Sequence, residues 1–131
     1  MKLRLFSILA TIAIAFAAMA QSPEVKEIVD NVNARCPYEY SEGVILQSVA
    51  IIDGNIVETY TVNPKKIDYS FLKSNQDMLY DVLVAEINTD NSKESQIVRK
   101  ACKEQGFHII YHYTDGNGDS FDIAVKPSDI H

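Results

Sequence analysis

The sequence has little positive charge and only one long apolar run. Residues 5–17 are apolar apart from Ser7 and Thr11, and no later run approaches the roughly 20 residues that a membrane helix needs. Twelve Lys and Arg residues stand against 18 Asp and Glu residues, a formal net charge of −6. Because nucleic acids and anionic lipids are bound mainly by cationic patches, we expect no nucleic-acid partner. Because no second long apolar run follows, we expect no membrane span.

The one apolar run lies at the N-terminus and predicts a secretory signal peptide. Lys2 and Arg4 form a positive start, and Ala18-Met19-Ala20 offers small residues at the positions that a signal peptidase reads. We expect residues 1–20 to be removed and residues 21–131 to form a single globular domain in the periplasm or outside the cell. Loss of Lys2 and Arg4 leaves ten basic against 18 acidic residues, a formal charge of −8.

The sequence has only two cysteines, Cys36 and Cys102. In an oxidising compartment paired thiols usually become disulfides, so we predict a Cys36–Cys102 bridge. The alternative is two separately buried thiols, because cysteine is often a small core residue. Neither cysteine lies in a sequence that resembles a thiol protease, so a catalytic thiol is not indicated.

Reaction motifs are also missing from the sequence. No glycine-rich loop suited to phosphate is present, and no serine has a distinctive motif around it. His108 and His112 would lie about 13 Å apart on a strand, too far to share a zinc ion. The sequence therefore predicts no catalytic residue, no metal site and no cofactor.

A short acidic loop near the C-terminus is the closest approach to a binding motif. Asp115, Asn117 and Asp119 match the first three ligand positions of an EF-hand calcium loop, but Ser120 and Lys126 replace its glycine and its bidentate glutamate. The flanking residues alternate as strands. We therefore interpret the loop as a hairpin turn, with Tyr113 opposite Phe121 and a three-residue loop at residues 116–118.

Periodicity along residues 21–131 changes from helix to strand twice. Ser22 and Pro23 begin a helix that ends before Pro37, and residues 43–63 read as a hairpin that turns at Asp53-Gly54-Asn55. Residues 67–106 have helical spacing, with a capping box at Asn91 and Glu94 and a terminating Gly106. Strands at 107–114 and 120–126 follow. The predicted fold is α+β: a four-stranded antiparallel sheet of two hairpins with helices on one face, in the order α-β-β-α-α-β-β.

Strand parity assigns side chains to the two faces of this sheet. The face predicted to meet the helices carries Ile45, Gln47, Val49, Ile51, Ile56, Glu58, Tyr60 and Val62 on the first hairpin and the odd-numbered residues on the second. The opposite face should be open to water. We predict that a protein or glycan of the cell envelope would bind there, on a surface formed by Thr59, Thr61, His108, His112, Asp122 and Lys126.

Several short motifs in this order resemble a group of small exported bacterial α+β proteins of uncharacterised function. The motifs are Cys36-Pro37, the apolar hairpin and a late Tyr-x-Asp-x-x-Gly hairpin formed by Tyr113, Asp115 and Gly118. The resemblance implies export and an α+β fold, and it implies no catalytic residue.

Two classes of function follow from these observations. The first is an exported, non-catalytic binding or interaction module. The alternative is a small secreted, hydrolase-like enzyme whose site is assembled only by the fold, or an inhibitor of a secreted enzyme. A concave pocket with converging polar groups would distinguish an enzyme from a flat binding face. The sequence gives no oligomeric state.

Overall fold

The structure is a computed structural model that describes residues 22–131. The predicted signal peptide and its cleavage site lie outside the described residues. The helices are α1 (Pro23–Ala34), α2 (Tyr69–Ser74), α3 (Gln76–Thr89), α4 (Lys93–Gln105) and a 3-10 turn (Pro127–Asp129). The strands are β1 (Tyr38–Ser41), β2 (Val44–Ile52), β3 (Asn55–Val62), β4 (Ile109–Thr114) and β5 (Ser120–Val125).

The fold is α+β, as predicted, but the sheet is mixed and has five strands instead of four antiparallel ones. Its order is β1-β2-β3-β4-β5, and β3 pairs with β4 in parallel, from Ile56 opposite Ile109 to Thr61 opposite Thr114. The three helices between β3 and β4 carry the chain back across the sheet, which permits a parallel pair. The extra strand β1 is a short edge strand that pairs with β2.

The first hairpin turns where the sequence predicts. Ile52 pairs with Asn55, so the loop contains only Asp53 and Gly54. Their φ angles are 52° and 81°, which is the left-handed pair that a tight type I′ turn requires. The Asp-Gly sequence satisfies this requirement because both residues tolerate positive φ.

The face assignment of β2 is wrong at its start. The register shifts between Leu46 and Ser48, so Gln47 is a bulged residue and the parity of the strand changes there. Leu46 is buried in the core, Gln47 is exposed and Ile45 does not reach the core. Beyond the bulge Val49 is buried as predicted.

The second hairpin has the predicted register, with Tyr113 opposite Phe121. The last regular pair before the loop is Thr114 with Ser120. Within the loop the Asp115 N–H donates to the Asp119 carbonyl at 3.2 Å. The Asp115 carboxylate accepts the backbone N–H groups of Asn117 and Asp119 at 2.7 and 3.2 Å. Its oxygen is therefore occupied in forming the turn.

The helix ends agree with the sequence except at the start of α4. The N-cap is Ser92, whose hydroxyl accepts the Ser95 N–H at 3.2 Å, and the predicted capping box of Asn91 and Glu94 is displaced by one residue. Gly106 ends the helix in the left-handed conformation, with φ 74°, as predicted.

The helices cover one face of the sheet, and the core lies between the two layers. Alternate residues of β4 and β5 are buried there, including Tyr111, Ile123 and Val125, while their neighbours face away. No helix within residues 22–131 is long and apolar enough to cross a membrane.

The predicted disulfide is not present in the structure, where Cys36 and Cys102 are both free thiols. The Cys36 thiol, just beyond the end of α1, lies 3.4 Å from the Val32 carbonyl and is a weak donor to it. Cys102 is fully buried in α4. The two cysteines therefore follow the alternative of separate thiols.

Candidate functional site

A groove of about 840 Å³ lies between the helices and the inner face of the sheet. One side is formed by α1, and another by the end of α3 and the first turns of α4. The floor is formed by inward-facing side chains of three neighbouring strands, namely Leu46, Val49, Ile56, Glu58, Tyr60, Ile109 and Tyr111.

The α1 side of the groove is attached to the bulged strand. Asn33 Oδ1 accepts the Val49 N–H at 3.1 Å, two residues beyond the bulge at Gln47. Val25 and Val29 bury the apolar face of α1 in the core. This leaves Ile28 and Val32, together with Glu24 and Glu27 of the outer face, to line the groove.

The opposite side depends on Arg99 of α4. Its Nη1 donates to the Ile87 carbonyl at 2.7 Å and to the Asp90 carbonyl at 2.6 Å. The Asp90 carboxylate in turn accepts the Ser95 hydroxyl at 2.6 Å and the Ser92 N–H at 2.9 Å, and these two hydrogen bonds hold its pKa below the ordinary value. Arg99 is thus committed to joining α4 to the end of α3.

Two tyrosines and two glutamates form a connected group in the groove, which we call the acidic tyrosine cluster: Tyr40, Glu58, Tyr60 and Glu86. The Tyr60 hydroxyl donates to Glu58 Oε1 at 2.6 Å, and the Tyr40 hydroxyl donates to Glu86 Oε2 at 3.2 Å. The rings of Tyr40 and Tyr60 meet edge to face, with centroids 5.8 Å apart. The cluster joins β1, β3 and α3.

Burial and mutual repulsion shift the pKa values of this cluster upward. Burial raises the pKa of Glu58, the Tyr60 hydrogen bond opposes that effect, and the nearby charge of Glu86 adds to it. Burial, followed by Glu86, raises the pKa of Tyr40 to about 12. Burial and the charge of Glu58 raise the pKa of Tyr60 as well. Both tyrosine hydroxyls are therefore protonated at neutral pH and act as hydrogen-bond donors.

Stacked rings continue from the cluster into the core. Tyr60 stacks on Tyr111 and Tyr113 with centroid distances of 6.1 and 5.3 Å, and Tyr113 stacks on Phe121 at 5.3 Å. This packing fixes the position of Tyr60, and through its hydroxyl the position of the Glu58 carboxylate.

The partner face predicted from the sequence lies on the other side of the sheet. Register places Thr59 beside His112 and His112 beside Asp122, and His112 Nδ1 lies 2.5 Å from Asp122 Oδ1. Thr61 follows on the same face of β3, and His108 and Lys126 lie just beyond the ends of β4 and β5. The structure therefore brings together four of the predicted residues, namely Thr59, Thr61, His112 and Asp122. Their role in binding stays a prediction.

Sequence reasoning missed the groove, although one signal for it was present. Glu58 is the only charged residue on the inward face of β3, between Ile56 and Tyr60. A carboxylate on an otherwise apolar face is more informative than any apolar residue there. Tyr40 and Glu86 gave no such signal, because their contacts with the cluster depend on the tertiary fold.

The lining of the groove is acidic. Six lining side chains are carboxylic acids, namely Glu24, Glu27, Glu58, Glu86, Asp90 and Glu94, and three are basic, namely Arg35, Lys93 and Arg99. No group of three or more His, Cys, Asp or Glu side chains in the described part of the chain could hold a metal ion. The arrangement suits recognition of an apolar ligand that carries positive charge.

No family model matches the chain, and no curated protein matches it. Two solved structures are similar to it. A "putative secreted protein" from Pseudomonas aeruginosa matches with a TM-score of 0.68 and 12% identity, over 89% of this chain and 96% of that chain. The pilotin EpsS of the Vibrio vulnificus type 2 secretion system matches with a TM-score of 0.62 and 14% identity, over 88% and 96%. At these identities the likeness is one of fold.

Proposed function

We propose that this is an exported, non-catalytic protein of the cell envelope that binds a segment of a partner polypeptide in the groove. The observation that carries the proposal is the groove itself, in which an apolar and aromatic floor is surrounded by charged side chains of α1, α3 and α4. Protein interfaces commonly combine an apolar, aromatic centre with a polar rim.

The edge of the groove supports a polypeptide ligand. Tyr38 and Tyr40 of β1 line it with 39% and 52% of their surface exposed, although both are large aromatic residues. Tyrosine is enriched among the few interface residues that contribute most of the binding energy. A helix with one apolar face, or an extended segment with apolar side chains, could cover them.

The structural neighbours support the setting of this proposal. One is described as secreted, and the other belongs to a secretion system. Both agree with the export predicted from residues 1–20, and the second also agrees with a partner that is a protein. The likeness in fold does not identify the partner.

Photo-crosslinking in cells that produce the protein naturally tests the proposal. A benzoylphenylalanine residue at Val98, which lines the groove, should give a covalent adduct with a specific protein. The matched control is the same residue at Ala124, an exposed position of β5 on the opposite face. An adduct from Ala124 but not from Val98 would move the binding site to the face of Thr59, Thr61, His112 and Asp122.

A further inference from the structure

Glu58, a residue of the groove floor, forms no ion pair within residues 22–131. The inward face of β3 carries Ile56, Glu58, Tyr60 and Val62, so Glu58 is a carboxylate among apolar and aromatic side chains. Placing a charge there is unfavourable unless an opposite charge or hydrogen bonds compensate for it. Within residues 22–131 the hydrogen bond from the Tyr60 hydroxyl to Glu58 compensates for this cost only in part.

The basic residues of the described chain do not supply this charge. The ion pairs within residues 22–131 are Lys26–Asp30, Lys73–Asp119 and His112–Asp122, and none includes Glu58 or Glu86. Arg99 lines the groove, but its guanidinium donates to two backbone carbonyls. The one charge that shifts the pKa of Glu58 among the described residues is that of another carboxylate, Glu86, and it raises this pKa further.

The surroundings of Glu58 suit a cation. The exposed ring of Tyr40 belongs to the same cluster and meets the buried ring of Tyr60 edge to face at 5.8 Å, and Tyr111 stacks on Tyr60 at 6.1 Å. Aromatic ring faces attract ammonium and guanidinium groups, and two carboxylates within the same cluster add charge attraction. Glu58 is a half-buried residue that lines the groove, so a ligand in the groove would meet it.

We propose that the acidic tyrosine cluster is a subsite for one Lys or Arg side chain of the polypeptide segment that occupies the groove. This inference rests on the proposed function and specifies its ligand: an otherwise apolar segment with a basic residue at the position that meets Glu58. The basic residue would supply the missing counter-charge, and the apolar residues would contact the half-buried Ile28, Val32 and Val98 on the sides of the groove. Charge complementarity therefore determines which segments bind.

Selection from a random-peptide phage library on the exported protein provides the probe. We expect the enriched peptides to combine apolar residues with a Lys or Arg. The best peptide is then synthesised in two forms, one with its basic residue and one with uncharged norleucine in its place. The uncharged form should bind about tenfold or more weakly, as measured by calorimetry.

A double-mutant cycle assigns this loss to Glu58. Glu58→Gln keeps a hydrogen-bond acceptor for Tyr60 and removes the charge, and in this variant the two peptides should bind equally weakly. Glu104→Gln, the same substitution at an exposed position of α4 outside the groove, is the matched control and should bind like the wild type. Circular dichroism confirms that both variants are folded.

The outcomes separate this inference from the proposed function. Val98→Arg obstructs the groove and should abolish binding of both peptides. Suppose that Val98→Arg abolishes binding, but that replacing the basic residue by norleucine weakens binding as much in Glu58→Gln as in the wild type. The cation subsite is then wrong, and the proposal that the groove binds a polypeptide stands. If Val98→Arg leaves binding unchanged, or if the library yields no binding peptide, both proposals are wrong.

Discussion

At the scale of single residues, the position of Glu58 could be predicted from the sequence, but its contacts could not. Its place on the inward face of β3 could be predicted from parity, because residues 56 to 62 alternate without interruption. Its partners could not be predicted, because Glu86 lies on α3 and Tyr40 on the unpredicted strand β1. Parity assigns a residue to a face, but it does not show what lies above that face.

Removing the charge of Glu58 should stabilise the free protein at neutral pH. Burial raises the Glu58 pKa above the ordinary value of 4.5, so the folded state holds its proton more tightly than the unfolded state. The free energy of unfolding contributed by this group is therefore present below pH 4.5 and is lost as the pH rises through the raised pKa. The other titratable groups of its surroundings are Cys36, Tyr40, Tyr60, Glu86, Tyr111 and Tyr113.

We expect Glu58→Gln to raise the melting temperature at pH 7 by a few degrees Celsius, and to differ little from the wild type below pH 4.5. Thermal melts across this range provide the measurement. Glu94→Gln, at an exposed position at the start of α4, is the control and should show no such pH dependence. A lower melting temperature for Glu58→Gln at pH 7 would show that the folded protein already compensates for the charge.

The two cysteines should differ in reactivity within the folded protein. Cys102 is fully buried and burial raises its pKa to about 11, whereas Cys36 is only partly buried and has a pKa raised mainly by burial. A thiol reagent at about pH 8 should label Cys36 slowly and Cys102 only after unfolding. Cys36→Ser should show no native labelling. If denatured, unreduced protein has no free thiol, the predicted bridge forms after all.

At the scale of elements, local patterns predicted the hairpins but not their irregularities. The Asp53-Gly54 turn and the Tyr113–Phe121 pairing follow from turn chemistry and alternation. The bulge at Gln47 could not be predicted, because nothing in the surrounding apolar run marks where an extra residue is inserted. That extra residue moves Leu46 into the core in place of Ile45.

Because Asn33 contacts the strand beyond this bulge, it should stabilise the α1 side of the groove. Asn33→Ala leaves the Val49 N–H without its 3.1 Å acceptor, and we expect a loss of about 1 to 2 kcal/mol in the free energy of unfolding. Asn31→Ala, on the same helix with an exposed side chain, is the matched control and should change stability by less than about 0.5 kcal/mol. Urea denaturation of both variants measures the difference. If Asn33→Ala is no more destabilising than Asn31→Ala, the hydrogen bond to Val49 does not contribute to stability.

At the scale of the whole molecule, the sequence predicted two layers but not the direction in which its hairpins join. Amphipathic helices and alternating strands require one covered sheet face, which is what the structure has. Whether β3 meets β4 in parallel depends on the path of residues 63–108, and helical periodicity leaves that path undetermined. The groove arises from the same path, because α3 and α4 line it on one side and α1 lines it on the other.

The charge of the whole chain should favour a basic partner before contact. With a formal charge of −8 for residues 21–131 and carboxylates of Glu24 and Glu27 lining the groove, a basic segment is attracted over a distance set by the ionic strength. The Debye length falls from about 30 Å at 0.01 M salt to about 8 Å at 0.15 M.

We therefore expect the association rate of the library-derived basic peptide to fall as salt rises between these concentrations, while its dissociation rate changes little. Stopped-flow fluorescence gives both rates. Replacing Glu24 and Glu27 together by Gln should reduce the salt dependence, because both residues are exposed at the groove and neither belongs to the acidic tyrosine cluster. The norleucine peptide is the control and should associate at a rate that depends less on salt. If the association rate of the basic peptide is independent of salt, or rises with it, the acidic surface does not steer the ligand and its charge serves solubility instead.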